Sequence, residues 1–78
     1  MNMKRKAVNS LAAHVGSRIK KRRLEKNRSQ ATLAKNIGTS KSHLSETESG
    51  YWRCDFETLW HISKELECDM NYFVEGFE

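Results

Sequence analysis

The chain has 78 residues, no proline, two cysteines and a formal net charge of +4 at pH 7. A chain of this length forms one domain, too small for elaborate active-site architecture, and its richness in Leu, Ala, Lys, Arg and Glu predicts an all-α fold. No apolar run approaches the roughly 20 residues that span a bilayer, so we expect a soluble cytoplasmic protein.

The beginning of the chain predicts a basic arm followed by a long helix. Residues 1–7 are polar and basic and lack periodicity, so we expect a disordered arm, with residues 8–78 forming the single folded domain. From Val8 onward apolar residues recur mostly at steps of three and four, and Ser10 is available as the N-cap. This first helix is expected to end near residues 26–27.

Four shorter helices are predicted after it. Each has an N-cap candidate, in chain order Ser29, Ser40, Asp55 and Asp69. Gly38, Gly50 and Gly76 are placed to end the second, third and fifth helices. The apolar positions of the fourth helix are Phe56, Leu59, Ile62 and Leu66. The sequence therefore predicts five helices with no repeat, linker or second domain.

The third predicted helix is unusually polar. Leu44 is its only large apolar residue, and burying one leucine contributes only about 1.5–3 kcal/mol, so neighbouring elements must hold this helix. One interpretation is that its outer face is kept free for a polar partner. The alternative is an ordinary amphipathic surface helix.

Charge is distributed unevenly along the chain. Ten of the fourteen basic residues lie between Lys4 and Arg28, where Glu25 is the only acid, whereas acids predominate from Cys54 onward. This asymmetry favours an oriented polyanion partner, and the alternative is a solvated surface without one. Cys54 and Cys68 fit no zinc signature, so neither a metal, a cofactor nor a structural disulfide is expected, and no catalytic motif indicates an enzyme.

The stretch Ser29-Gln-x-x-Leu33-Ala-x-x-x-Gly38-x-Ser40-x-x-x-Leu44-Ser45-x-x-Glu48-x-Gly50 resembles the helix-turn-helix of the Cro/C1-type (XRE-like) repressor family. The likeness extends over about residues 15–76. It implies a compact five-helix lambda-repressor-like domain whose second and third helices form the helix-turn-helix. It further implies a transcriptional regulator, a repressor or a Cro-like or controller protein, that binds double-stranded DNA as a homodimer on a two-fold operator.

The resemblance also implies roles for individual residues. Base edges in the major groove would be read by Lys41, Ser42, Ser45 and Glu46, and also by His43 unless it only faces solvent. The DNA backbone would be contacted by Gln30, Arg18, Lys20, Lys35, Tyr51, Trp52 and Arg53. Gln30 has the alternative of being merely the first residue of its helix. Arg23 and Glu48 would form a structural ion pair.

Three features of the chain leave alternatives open. The arm residues Lys4-Arg5-Lys6 either lie in a minor groove or form an unbound tail. The apolar residues Trp60, Tyr72, Phe73, Val74 and Phe77 suggest a dimer interface, with the alternative that Phe73, and Trp60 with it, completes the core. The alternative function is an antitoxin-type protein-binding module that autoregulates its own operon.

Overall fold

The computed structural model describes residues 11–51 and 54–77, in which helices are joined by turns and no β-strand is present. The α-helices are α1 (Leu11–Glu25), α2 (Gln30–Ile37), α3 (Lys41–Glu48) and α4 (Phe56–Glu65), and a 3-10 helix (Met70–Phe73) follows them. The predicted arm and the predicted Ser10 cap lie outside the described residues. Nowhere in the described ranges is a helix long and apolar enough to cross a membrane.

The prediction of five α-helices is wrong for the last one. Its four residues form i to i+3 hydrogen bonds, such as the 2.9 Å bond from the Tyr72 N–H to the Asp69 carbonyl. A segment this short gains few i to i+4 bonds, and 3-10 geometry is common in such pieces. The described part of the chain therefore has four α-helices and one 3-10 helix.

Side-chain caps define where most of the helices begin. The N-caps of α2, α3, α4 and the 3-10 helix are Ser29, Ser40, Asp55 and Asp69. Each side-chain oxygen accepts a hydrogen bond of 2.8–3.0 Å from a backbone N–H two or three residues further on. At the end of α2, Gly38 has φ of 80°, and the next N–H, that of Thr39, donates to the Ala34 carbonyl at 2.9 Å.

One apolar core joins all five helical elements. Its members are Ile19, Leu33, Ala34, Leu44, Leu59, Ile62, Leu66 and Phe73. Phe56 was predicted on the apolar face of α4, but its side chain is 84% exposed. It is the first residue of α4, and the buried face of that helix begins three residues later at Leu59, so none of the described helices covers its ring.

One side of α1 holds the C-terminal segment. Its polar side chains recur every four residues, as His14, Arg18 and Arg22, and Lys26 continues this spacing just after the helix ends. Arg22 donates to the carbonyls of Leu66 and Glu67 at 2.9 and 3.0 Å, and Lys26 lies 2.6 Å from the Glu67 carboxylate. At the other end, the His14 Nε2 lies 2.6 Å from the Glu75 carbonyl oxygen. Much of the basic charge of α1 thus stabilises the fold itself.

Candidate nucleic-acid interface

The outer face of α3 is a continuous polar surface. Leu44, Thr47 and Glu48 point inward and are buried, as positions i, i+3 and i+4 of one helix face must be. The exposed residues of the helix are Lys41, Ser42, His43, Ser45 and Glu46. The helix therefore presents one lysine, two serines, a histidine and a glutamate to solvent.

The start of α2 lies beside this face. An open concavity is lined by Gln30 together with Lys41, Ser42, Ser45 and Glu46. The structure thus brings four of the five predicted base-reading residues to one surface with the predicted backbone contact at Gln30. Hydrogen-bonding side chains with both donors and acceptors converge there.

His43 lies on a different flank of α3. Its Nδ1 is 3.3 Å from the Thr39 Oγ1, and its ring borders a cavity of about 140 Å³ between α3 and α4, near Cys54 and Asp55. Coulombic attraction to His43 contributes to the lowered pKa of Asp55, although hydrogen bonds from Thr58 are the larger cause. Burial, with a further contribution from Asp55, raises the pKa of Cys54 to about 11.

Close backbone packing holds the polar helix in place. A Cβ atom built on Gly16 of α1 would lie 2.3 Å from the Thr47 carbonyl oxygen and 2.5 Å from that of Glu48. Only a residue without a side chain lets α1 approach the end of α3 so closely. The Thr47 hydroxyl donates to the His43 carbonyl at 3.0 Å, and Leu44 enters the core. These contacts replace the apolar burial that α3 lacks.

A buried ion pair ties α1 to the helix-turn-helix. The Arg23 Nε lies 2.7 Å from one oxygen of Glu48, and its second nitrogen lies 3.1 Å from the other. Arg23 also donates to the Arg28 carbonyl at 2.8 Å, and the Gln30 amide donates to Glu48 at 3.0 Å. Because Gln30 begins α2 and Glu48 ends α3, this network fixes the two helices relative to each other.

The predicted backbone-contacting residues fall into three groups. Lys20, Lys35 and Tyr51 are exposed, and neither lysine forms an ion pair in the described structure. Trp52 and Arg53 lie outside the described residues. The Arg18 guanidinium stacks on the Tyr72 ring at 3.9 Å from its centroid, donates to the Tyr72 carbonyl at 2.9 Å and lies 3.3 Å from the Glu75 carboxylate. Arg18 is therefore occupied by the C-terminal segment.

The four aromatic residues predicted for the dimer interface are dispersed. Phe73 is fully buried and completes the core, which is the alternative that the sequence left open for it. Tyr72 lies beneath Arg18, and burial raises its pKa. Phe77 contacts the His14 ring of α1, whereas Trp60 contacts His61 and Lys64 of α4. Trp60 and Phe77 remain substantially exposed.

The binding of the C-terminal segment by the polar face of α1 was missed from sequence. The four-residue spacing of His14, Arg18 and Arg22 was visible, and it would have indicated one shared helix face. The partners of that face are backbone carbonyls far along the chain, which no residue pattern reveals. Among the described residues no group of three His, Cys, Asp or Glu side chains is placed to hold a metal.

Two helices joined by the short turn Gly38–Ser40, the second carrying a polar outer face, define a helix-turn-helix domain. A family model described as "Helix-turn-helix" matches residues 19–73. The chain therefore belongs to the Cro/C1-type (XRE-like) family of helix-turn-helix DNA-binding transcriptional regulators.

Curated relatives and a solved structure agree with this family. An uncharacterized HTH-type transcriptional regulator of Sinorhizobium fredii is 39% identical over 71 residues, which are 91% of this chain and 50% of that protein. An uncharacterized transcriptional regulator in the ATPase CF(0) region of Rhodospirillum rubrum is 33% identical, over 94% of this chain and 68% of its own length. The chain thus spans half to about two thirds of these relatives.

The fold also matches the restriction-modification controller protein C.AhdI from Aeromonas hydrophila. The TM-score is 0.75, and the match covers 80% of this chain and 90% of that one. Sequence identity is 22%, so this likeness concerns the fold.

Proposed function

We propose that this protein binds double-stranded DNA at specific sequences, with α3 in the major groove. The observation that carries the proposal is the polar face of α3 adjoining Gln30. Lys41 can donate to guanine O6 and N7, and Glu46 can accept from cytosine N4. Ser42 and Ser45 can donate to or accept from several bases. Their convergence on one surface is the arrangement that reading adjacent base pairs requires.

Contacts to the DNA backbone would orient α3 in the groove. Gln30 lies at the start of α2, where free backbone N–H groups and the helix dipole favour a phosphate while the Gln30 side-chain amide holds Glu48. Lys20, Lys35 and Tyr51 are exposed and suited to the same task, with Trp52 and Arg53 following in sequence. Arg18 is left out of this set because Tyr72 and Glu75 hold its guanidinium. Each phosphate neutralised adds to the salt dependence of binding.

The biological role proposed is regulation of transcription by a homodimer on a two-fold operator. A single helix-turn-helix contacts few base pairs, and dimers bind half-sites about one helical turn apart. The curated relatives are described as transcriptional regulators, which supports this role. A regulator of transcription must reach the chromosome, so a cytoplasmic location is part of this proposal.

The deciding experiment is selection of binding sites from random duplex DNA, followed by salt titration on the selected sequence. We expect a two-fold symmetric consensus. Six to ten phosphate contacts would lower its affinity by about 10³- to 10⁵-fold between 50 and 200 mM salt. Salt-sensitive binding without any consensus would refute sequence-specific recognition.

Three lysine variants separate base reading from phosphate binding. Lys41→Ala is expected to weaken binding to the consensus by about 5- to 150-fold and to relax specificity at one position, with an unchanged melting temperature. Lys35→Ala is expected to weaken binding to all sequences alike and to reduce the salt slope by about one. The control is Lys26→Ala, because Lys26 already pairs with Glu67. Equal effects of the three substitutions would contradict the assignment.

A further inference from the structure

The outer face of α4 carries aromatic rings that the other described residues, 11–51 and 54–77, leave exposed. Phe56 and Trp60, one helical turn apart, are 84% and 47% exposed. The Trp60 and His61 rings are in a T-shaped contact with centroids 5.2 Å apart, and the Lys64 Nζ lies 5.2 Å from the centre of the Trp60 ring. Large exposed aromatic residues on one face indicate an interaction surface.

Charge is ordered along this face. Glu57 lies near the beginning of α4 and Lys64 near its end, with Trp60 and His61 between them. Seven residues of helix separate the two charged residues by about 10.5 Å, so they do not pair within one chain. In the described structure neither of them forms an ion pair with another residue.

This order of charges is self-complementary. If two copies of α4 pack antiparallel about a two-fold axis between Trp60 and His61, Glu57 of each copy faces Lys64 of the other. The two aromatic pairs, Trp60 against His61, then meet at the axis. A parallel arrangement would place like charges together. Contacts in which the same two residues meet twice are what a two-fold dimer interface requires.

We propose that this face of α4, formed by Glu57, Trp60, His61 and Lys64 with Phe56 at its edge, is the contact between two copies of the chain. The inner side of α4 packs against α2 and the 3-10 helix, so such a contact leaves the outer face of α3 free. The inference specifies the surface of the homodimer proposed above and rests on that proposed function.

A charge-swap experiment tests the contact directly. Sedimentation equilibrium of the full chain without DNA would measure the dimer dissociation constant. Glu57→Lys and Lys64→Glu each replace two attractive pairs by two repulsive ones, and we expect each to weaken dimerisation by about 30-fold, equivalent to about 2 kcal/mol. Both side chains are exposed, and thermal melts of dilute protein check that the variants fold.

Two restorations follow only from an antiparallel contact. The double variant Glu57→Lys/Lys64→Glu recovers both pairs and is expected to dimerise within a few-fold of the native chain. An equimolar mixture of the two single variants is expected to associate, because the heterodimer again has opposite charges at both positions. Failure of the mixture to associate would overturn the proposal.

A second exposed surface provides the matched control. Phe77, Val74 and Leu11 are each about 40% exposed, and Phe77 contacts α1 instead of α4. Phe77→Ser is expected to leave the dimer dissociation constant unchanged. The proposal would be overturned if Phe77→Ser dissociated the dimer while the charge variants dimerised like the native chain. It would also be overturned if the native chain stayed monomeric at about 1 mM.

DNA binding is measured separately on a duplex holding one half-site. The single charge variants are expected to bind it within a few-fold of the native chain and to lose affinity chiefly on the full two-fold site. If the native chain binds no DNA but the charge swaps affect dimerisation as expected, the proposed function is rejected and the α4 contact is retained. If the native chain selects a consensus site but the charge swaps do not affect dimerisation, the proposed function is retained and the α4 contact is rejected.

Discussion

Removing the Arg23 side chain is expected to destabilise the domain severely. The side chains of Arg23 and Glu48 are only 8% and 3% exposed and are joined by two hydrogen bonds of 2.7 and 3.1 Å. In Arg23→Ala the Glu48 carboxylate stays buried, and the 3.0 Å bond from Gln30 is its only remaining side-chain donor in the described structure. Breaking a buried pair from one side costs about 3–5 kcal/mol.

This cost translates into a large thermal shift. For a domain of this size each 1 kcal/mol changes the melting temperature by about 4–8 °C, so a loss of 3 kcal/mol lowers it by about 12–24 °C. Thermal and urea unfolding followed by circular dichroism would measure the stability of the native chain, of Arg23→Ala, of Glu48→Ala and of the double variant Arg23→Ala/Glu48→Ala. Lys26→Ala serves as the control, because its ion pair with Glu67 is exposed and its removal is expected to have a far smaller effect.

The double variant makes the reasoning refutable. Each single variant leaves one buried charged group without its partner, whereas Arg23→Ala/Glu48→Ala leaves neither. The double variant should therefore lose less free energy of unfolding than the two single variants together, by about 2 kcal/mol or more. Additive costs, or a loss below about 1 kcal/mol for Arg23→Ala, would show that water solvates Glu48 once Arg23 is gone. The pair would then not be what fixes α3.

Three further outcomes follow from the packing, the backbone and the titrating groups. Gly16→Ala is expected to lower the free energy of unfolding in urea by at least about 1–3 kcal/mol, because the new Cβ meets the Thr47 and Glu48 carbonyls. Ser17→Ala, at the next and exposed position, should change stability little. Equal effects of the two substitutions would disprove the close approach of α1 to α3. Glu67 has φ of 55°, a left-handed conformation that glycine adopts more easily than alanine, so Glu67→Gly should be about 1 kcal/mol more stable than Glu67→Ala. Both variants lack the contact with Lys26, so the comparison isolates the backbone. Equal stability of the two would argue against that backbone conformation. Burial raises the pKa of Cys54 in the folded protein to about 11 from its ordinary value of 9.0, so the folded protein binds more protons between these values, and its stability should fall as pH rises from about 9 to 11. Thermal melts of Cys54→Ala should lack this share of the decline, and parallel curves for the two proteins would contradict the prediction.

Local signals in the chain were sufficient for most of the helices. Ser29, Ser40 and Asp55 begin their helices as predicted, because a cap depends on one side chain and a backbone N–H three residues away. Gly38 ends α2 for an equally local reason, its left-handed φ. The last helix was predicted less well because a four-residue segment has no periodicity with which to distinguish α from 3-10 geometry.

The sequence by itself determined the all-α class, the helix boundaries and the polar outer face of α3, since these depend on residues a few positions apart. The tertiary structure alone decided how the basic residues are used. Arg18 and Arg22 carry the same charge as Lys35 and Lys41, yet the two arginines are bound by carbonyls 54 and 44 residues away in the chain. It also buried Phe73 and exposed Phe56 and Trp60. Burial depends on which elements pack together, and contacts between residues distant in sequence leave no pattern in the sequence around either one.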